Sequence, residues 1–167
     1  AYFSGFGSQK QITLYDTLVN DLEEEEIIAV LAHEVGHYKH KHIIYNLVIS
    51  IISTGFTLWI LSLMIGNPLL YEALGVEKPG FHIGLVAFGL LYSPISTLTG
   101  LLMNMLSRKF EYQADNFAKK TYDNIHLINS LKKLSQKSLS NLTPHPLYVS
   151  VNYSHPSLLQ RVKNLKA

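Results

Sequence analysis

Five consecutive residues hold the most recognisable chemistry in this chain: His33-Glu34-Val35-Gly36-His37. On a helix, two histidines four residues apart share one face, one turn apart, and can grip a single metal ion. The glutamate beside the first histidine can then take a proton from a water at that ion. Imidazole nitrogens suit Zn²⁺, which polarises both water and a substrate carbonyl. The chain has no cysteine. Disulfides and thiolate sites are therefore excluded, and any metal must use histidine and carboxylate ligands. Taken alone, the pattern also fits a polar helix face with two unrelated histidines.

A catalytic zinc usually takes three protein ligands and leaves one position open, so a third must come from elsewhere. Glu111-Tyr112-Gln113-Ala114-Asp115 is the best source. Glu111 and Asp115 share a helical face at i, i+4. One can reach the metal, and the other can accept a hydrogen bond from a ligating imidazole and set its tautomer. In isolation the same two acids would read as an exposed charged face.

The elements that must position these residues follow from charge and apolar patterning. Asn20-Asp21 reads as a helix N-cap, the glutamates from Glu23 to Glu26 fill the first turn, and the helix runs to about Lys41. Two uncharged stretches follow, and each has the roughly 20 residues needed to span a bilayer core. They place transmembrane spans near residues 43–65 and 81–106. Asn67-Pro68 closes the first, Pro79-Gly80 opens the second, and Pro94 should kink or break the second. The alternative is two buried helices of a soluble core. Lys39 and Lys41 precede the first span, and Arg108 and Lys109 follow the second. The positive-inside rule puts these ends in the cytoplasm and the connecting loop opposite. Such a hairpin carries the His33 helix and the Glu111 helix to the same membrane face.

The remaining segments are shorter. Residues 2–5 and 11–15 are β-prone around Gly5-Phe6-Gly7-Ser8, consistent with an N-terminal β-hairpin. Residues 108–120 and 125–139 read as helices, residues 143–156 as turn-rich, and a last short helix begins near Ser157. His40 and His42 alternate with Lys39 and Lys41 and read as a solvated juxtamembrane flank. His82 reads as interfacial, and the lysines after Lys119 as a solvated helix face.

Composition agrees with a membrane protein. Hydrophobic residues make up 47% of the 167 residues and charged residues 16%, against about 25% charged in a soluble domain. The net charge of +2 gives no reason to expect nucleic acid. The stretch before residue 43 is acidic and the stretch after residue 107 is basic. The expected architecture is a mainly α, membrane-embedded, single catalytic domain over residues 1–167, with two transmembrane helices. The start at Ala1, with no signal-peptide pattern, reads as a fragment whose natural N-terminus lies upstream.

Five ordered blocks resemble the type I CAAX prenyl protease family of integral-membrane zinc proteases. They are Ala1-Tyr2-Phe3-Ser4-Gly5-Phe6-Gly7, Ile12-Thr13-Leu14-Tyr15-Asp16-Thr17-Leu18, Ala32-His33-Glu34-Val35-Gly36-His37-Tyr38-Lys39, Arg108-Lys109-Phe110-Glu111-Tyr112-Gln113-Ala114-Asp115 and Tyr153-Ser154-His155-Pro156-Ser157-Leu158-Leu159-Gln160-Arg161. The resemblance covers nearly the whole chain. It implies one zinc ion bound by His33, His37 and Glu111, with Glu34 as general base. It implies that Asp115 supports a ligand histidine, that His155 stabilises the oxyanion, and that Arg161 lies nearby in an ionic supporting role. The implied substrate is a prenylated C-terminal CaaX sequence, from which the last three residues are removed. Family members carry further N-terminal spans, and an asparagine before the alanine equivalent to Ala1; both are absent here.

The first expectation is thus a zinc metalloendopeptidase that acts on lipidated or extended protein C-termini from the cytoplasmic side of a bilayer. The strand at Ala1, Tyr2 and Phe3 could align an extended peptide by adding it to a sheet edge. Alternatives are a broad quality-control protease for membrane proteins and a non-catalytic scaffold that binds zinc for structure. Glu34 argues against the scaffold, because a structural site needs no general base.

Overall fold

A computed structural model describes residues 1–4, 11–78 and 80–167, with side chains for Ala1 and from residue 11 onward. The architecture is mainly helical. The described chain divides into two compact units, Ala1–Ile43 with Leu101–Ala167, and Ile44–Gly100.

The first unit opens with strands β1 (Tyr2–Ser4) and β2 (Gln11–Thr13), which pair antiparallel with Tyr2 opposite Thr13 and Ser4 opposite Gln11. The turn at residues 5–8 lies outside the described residues. Helix α1 (Asp16–Asp21) comes next, followed by α2 (Glu24–Lys39). The N-cap of α2 is therefore Glu23, and the expected cap at Asn20-Asp21 is incorrect, because those residues end a helix of their own. A capping box explains the start: Glu26 Oε2 accepts from the Glu23 backbone N–H at 3.0 Å, and the Glu23 side chain accepts in return.

The buried positions of α2 are Glu26, Ala29, Val30, His33 and Gly36, a helical stripe of spacing three and four. Glu26 pairs with Lys133 at 2.8 Å, and Gly36, nearer the C-terminus, meets Ala114 on α6 (Ser93–Thr121), whose buried stripe is Phe110, Glu111, Ala114, Asp115 and Ala118. Helices α7 (Asn124–Lys137), α8 (Pro146–Asn152) and α9 (Leu158–Lys166) complete the unit. Leu18, Leu22, Ala29, Val30, Ala118, Leu127, Ile128 and Leu165 form its core. Asn124 donates from Nδ2 to the Leu165 carbonyl at 2.8 Å and ties the end of α9 to the start of α7. Residues 146–152 lie in the stretch expected to be turns. Pro146 there occupies the first turn of α8, where its missing N–H costs nothing.

The second unit contains most of α3 (His42–Ile65), α4 (Pro68–Ala73), α5 (Phe81–Leu91) and the first turns of α6. Helix α3 is long and apolar enough to cross a membrane, and none of its most apolar window is buried. Helices α5 and α6 meet at a 51° bend and together could form one broken span. The bend falls at Tyr92, two residues before Pro94, which sits in the first turn of α6. The expected boundary before residue 108 does not exist: α6 runs unbroken to Thr121, because Arg108 and Lys109 end an apolar stretch without breaking backbone hydrogen bonding. Within this unit Tyr71 is buried and donates from its hydroxyl to the Ile65 carbonyl at 2.8 Å. Thr57 Oγ1 and Tyr92 Oη lie 2.5 Å apart.

Candidate metal centre

The site forms where α2 crosses α6 in the first unit. Gly36 makes this crossing possible. A Cβ built there would lie 3.0 Å from both the Cα and the O of Ala114, so any side chain would hold the helices apart. His33 and His37 flank Gly36, and Glu111 lies just under one turn before Ala114. The glycine thus sets the distance between the two halves of the site.

Two imidazole nitrogens and the two oxygens of one carboxylate converge at the crossing. His33 Nε2 and His37 Nε2 are 3.1 Å apart, His37 Nε2 is 3.3 Å from Glu111 Oε1, and His33 Nε2 is 3.6 Å from Glu111 Oε2. Zinc–ligand bonds of about 2.0–2.1 Å at tetrahedral angles separate two ligand atoms by about 3.3–3.4 Å. The two carboxylate edges end on different oxygens; with one atom taken from each residue, the three lie within 4.8 Å of one another, and two imidazoles with one carboxylate are a donor set that fits zinc. Among the described residues, these three form a group able to hold a metal ion.

Of the two acids on the Glu111–Asp115 face, Glu111 points at the histidine pair and is 5% exposed. Asp115 is fully buried one turn further and faces the far side of His33, whose Nδ1–H donates to Asp115 Oδ1 at 2.9 Å. That bond leaves His33 Nε2 unprotonated and free to ligate. Arg161 on α9 holds Asp115 in turn. Its Nε donates to Oδ2 at 2.9 Å and a terminal nitrogen donates to Oδ1 at 2.5 Å, a bidentate grip. The other terminal nitrogen lies 3.4 Å from Glu111 Oε2.

His155 reaches the site from the segment between α8 and α9. Its Nδ1 lies 3.2 Å from Glu111 Oε1, and its side chain is 64% exposed. It also lines a cleft of about 380 Å³ together with Ser135, Asn152, Ser154 and Ser157. Two side chains of α6 anchor the segment. Arg108 donates to the carbonyls of Val149 at 3.1 Å and Tyr153 at 2.6 Å, and Asn104 donates to that of Val151 at 2.7 Å. Arg108 read in the sequence as a flanking charge only. Glu34 is half-buried and takes part in none of these site contacts, although its charge is felt at Arg161. Ala1 packs at the edge of the core, and β1 runs beside α2.

The electrostatics are dominated by the buried carboxylates, which lie beyond the apolar stretch ending near residue 106. Burial alone would raise the Glu111 carboxyl. The close imidazoles of His155 and His37, with the charge of Arg161, outweigh it and hold the group far below the usual range. At Asp115 burial again pushes up, and the bonds from His33 and Arg161 push the group down. The bond to Glu111 raises His155 against its desolvation. Burial would lower Arg161, but Asp115, Glu111 and Glu34 keep its charge firmly in place.

One residue that sequence reasoning set apart belongs here. His42 does not lie on a solvated flank. It is 2% exposed, with Nδ1 3.0 Å from His37 Nδ1 and Nε2 2.9 Å from Gln113 Oε1. The alternation with lysine misled because Lys41 adopts φ 57°, a left-handed turn between α2 and α3 that no periodic pattern foretells. His40 is exposed, as expected of a solvated flank.

Comparison with known proteins finds relatives over nearly the whole chain. A family model described as peptidase family M48 matches residues 1–167. The CAAX prenyl protease 1 homolog of Dictyostelium discoideum is 41% identical, over 99% of this chain and 39% of that protein. CAAX prenyl protease 1 of Saccharomyces cerevisiae is 35% identical, over 99% of this chain and 40% of that protein. The crystal structure of S. mikatae Ste24p superposes with a TM-score of 0.84 at 35% identity, covering 98% of this chain and 41% of that one. The chain therefore spans about two fifths of the length of the relatives it matches.

Proposed function

The chain belongs to peptidase family M48, and on that premise we propose that it is the catalytic portion of a zinc-dependent integral-membrane endopeptidase of the CAAX prenyl protease type. The observation that carries the reading is the convergence of His33 Nε2, His37 Nε2 and the Glu111 carboxylate at 3.1–3.6 Å, with the far nitrogen of His33 held by Asp115.

Zinc, when bound by His33, His37 and Glu111, supplies a Lewis acid that acidifies water and polarises a carbonyl. Glu34, one residue from the first ligand, takes the proton of the attacking water and passes it to the leaving amine. His155 donates to the oxyanion that develops on the scissile carbonyl. Its exposed edge and the cleft beside it support that role. Asp115 keeps His33 in the ligating tautomer, and Arg161 keeps Asp115 charged and in place. The outer edge of β1, with Ala1, Tyr2 and Phe3, aligns an extended peptide by backbone pairing.

The proposed substrate is a prenylated protein C-terminus, in line with the names of the relatives. The chain crosses a bilayer near residues 43–65 and 81–106. Support for the crossing is the exposure of the most apolar part of α3, where a soluble core helix would be covered. Lys39, Lys41, Arg108 and Lys109 put the site on the cytoplasmic side. Glu34→Gln in the full-length protein should keep zinc and lose cleavage of a prenylated peptide. Retained cleavage would refute the assigned base. Casein cleaved in preference to the prenylated peptide would instead favour a quality-control protease.

A further inference from the structure

The far nitrogen of His37 is also engaged, and its partner is neither a carboxylate nor a backbone carbonyl. We infer that His42 and Gln113 form a hydrogen-bonded relay that sets the tautomer and ring orientation of His37. This rests on the reading of His37 as a metal ligand.

The direction of the relay follows from the donor and acceptor inventory. If His37 Nε2 ligates, its proton is on Nδ1, which must donate. The partner 3.0 Å away is His42 Nδ1, which must then accept. A neutral His42 carries its own proton on Nε2, and that nitrogen faces Gln113 Oε1 at 2.9 Å. The amide oxygen accepts, and the chain of bonds ends there. The opposite polarity would put a proton on His37 Nε2 and abolish ligation. The amide of Gln113 therefore selects the binding tautomer of a histidine it does not touch.

The geometry is rigid. The His42 ring is 2% exposed and stacks on Phe110 with centroids 4.2 Å apart and planes 15° apart. Residues 110, 111 and 113 lie on one turn of α6, so the helix that brings the carboxylate ligand also seats the relay. The left-handed Lys41 lets the chain leave α2 and return His42, at the first position of α3, against that turn. His33 and His37 thus have different supports: an ion-paired aspartate for one, an uncharged imidazole–amide pair for the other.

The test measures Zn²⁺ affinity of the full-length protein in detergent by competition with a chromophoric chelator. Comparable outer contacts change metal affinity about 10–100-fold. His42→Phe keeps the stack on Phe110 and removes the acceptor; it should weaken Zn²⁺ binding by about that factor. His42→Asn loses the stack but offers an oxygen near the position of Nδ1, and should recover most of the affinity. A packing role predicts the reverse order. Binding by His42→Phe equal to the parent, or Asn no better than Phe, would overturn the relay. Should His42→Phe fail to fold, Gln113→Leu and Gln113→Glu decide. The glutamate retains an acceptor and should bind several-fold more tightly than the leucine, and equal affinities would overturn the proposal. A parent protein that binds no Zn²⁺, or a His37→Ala variant that binds as well as the parent, would instead overturn the metal reading beneath it.

Discussion

Replacing Gly36 by alanine tests how close α2 and α6 must come. The new Cβ would meet Ala114 Cα and O at 3.0 Å and Phe117 Cβ at 3.1 Å. Carbon contacts relax to about 3.5–4.0 Å, so the helices must part by roughly 0.5–1 Å at the crossing. Two of the three atoms are backbone, so rotating a side chain cannot relieve the contact. Overpacking of this kind costs about 1–3 kcal/mol. The same displacement acts on the site, where the His37–Glu111 edge of 3.3 Å would open toward about 4 Å, beyond what one tetrahedral zinc spans. If about 1.4 kcal/mol of the cost falls on the metal-bound state, zinc affinity drops tenfold. The assay is chelator competition with thermal unfolding of the full-length protein. Gly55→Ala is the control, since nothing lies within 4 Å of a Cβ there. Gly36→Ala should melt lower and bind zinc more weakly, while Gly55→Ala should match the parent. Parent-like melting and affinity in Gly36→Ala would refute the idea that this contact sets the ligand spacing.

Asp115→Asn removes the two-point anion of the buried Arg161 and leaves it only the 3.4 Å contact with Glu111, so it should destabilise the protein by about 3 kcal/mol and lower zinc affinity, as read by denaturation and metal competition. Arg161→Lys should fail to restore the parent's stability, because an ammonium cannot reproduce the two-point grip on Asp115. His155→Ala should retain stoichiometric zinc but lose about 10²–10³-fold in kcat on a prenylated peptide. Away from the site, burial pushes the Glu26 carboxyl up, while its bonds from Lys133 and the Glu23 backbone bring it below its ordinary value. The stability this contributes is complete above the unfolded pKa of about 4.3 and is lost as pH falls through the lower folded pKa. Glu26→Gln should therefore cut stability at pH 6 and flatten its decline below pH 4.5, as read by melting curves across that range.

The proposed metal ligands were legible because their chemistry is local. HEVGH needs only helical spacing, and a carboxylate partner needed only the expectation that the two helices emerge on one face. Which acid would ligate was not legible from spacing, since Glu111 and Asp115 share a face; the family resemblance implied Glu111, and burial against different sides of His33 separates the two in the structure. The apolar runs marked α3 and the broken pair α5–α6, but the charges at 108 and 109 suggested a helix boundary where backbone bonding continues. The roles of Gly36, Arg108 and His42 stayed hidden for one shared reason. Each depends on a contact with a residue distant in sequence: Ala114, the carbonyls of Val149 and Tyr153, and Gln113. Glu23 was missed as the α2 cap because glutamate seldom serves there, and its box with Glu26 was masked by a run of four glutamates.

The most direct test is anomalous diffraction at the zinc edge from crystals of the zinc-loaded, full-length protein. A single peak per chain is expected, within about 2.0–2.2 Å of His33 Nε2, His37 Nε2 and a Glu111 oxygen. A peak bound elsewhere, or one at the histidine pair with the Glu111 carboxylate turned away, would contradict the account.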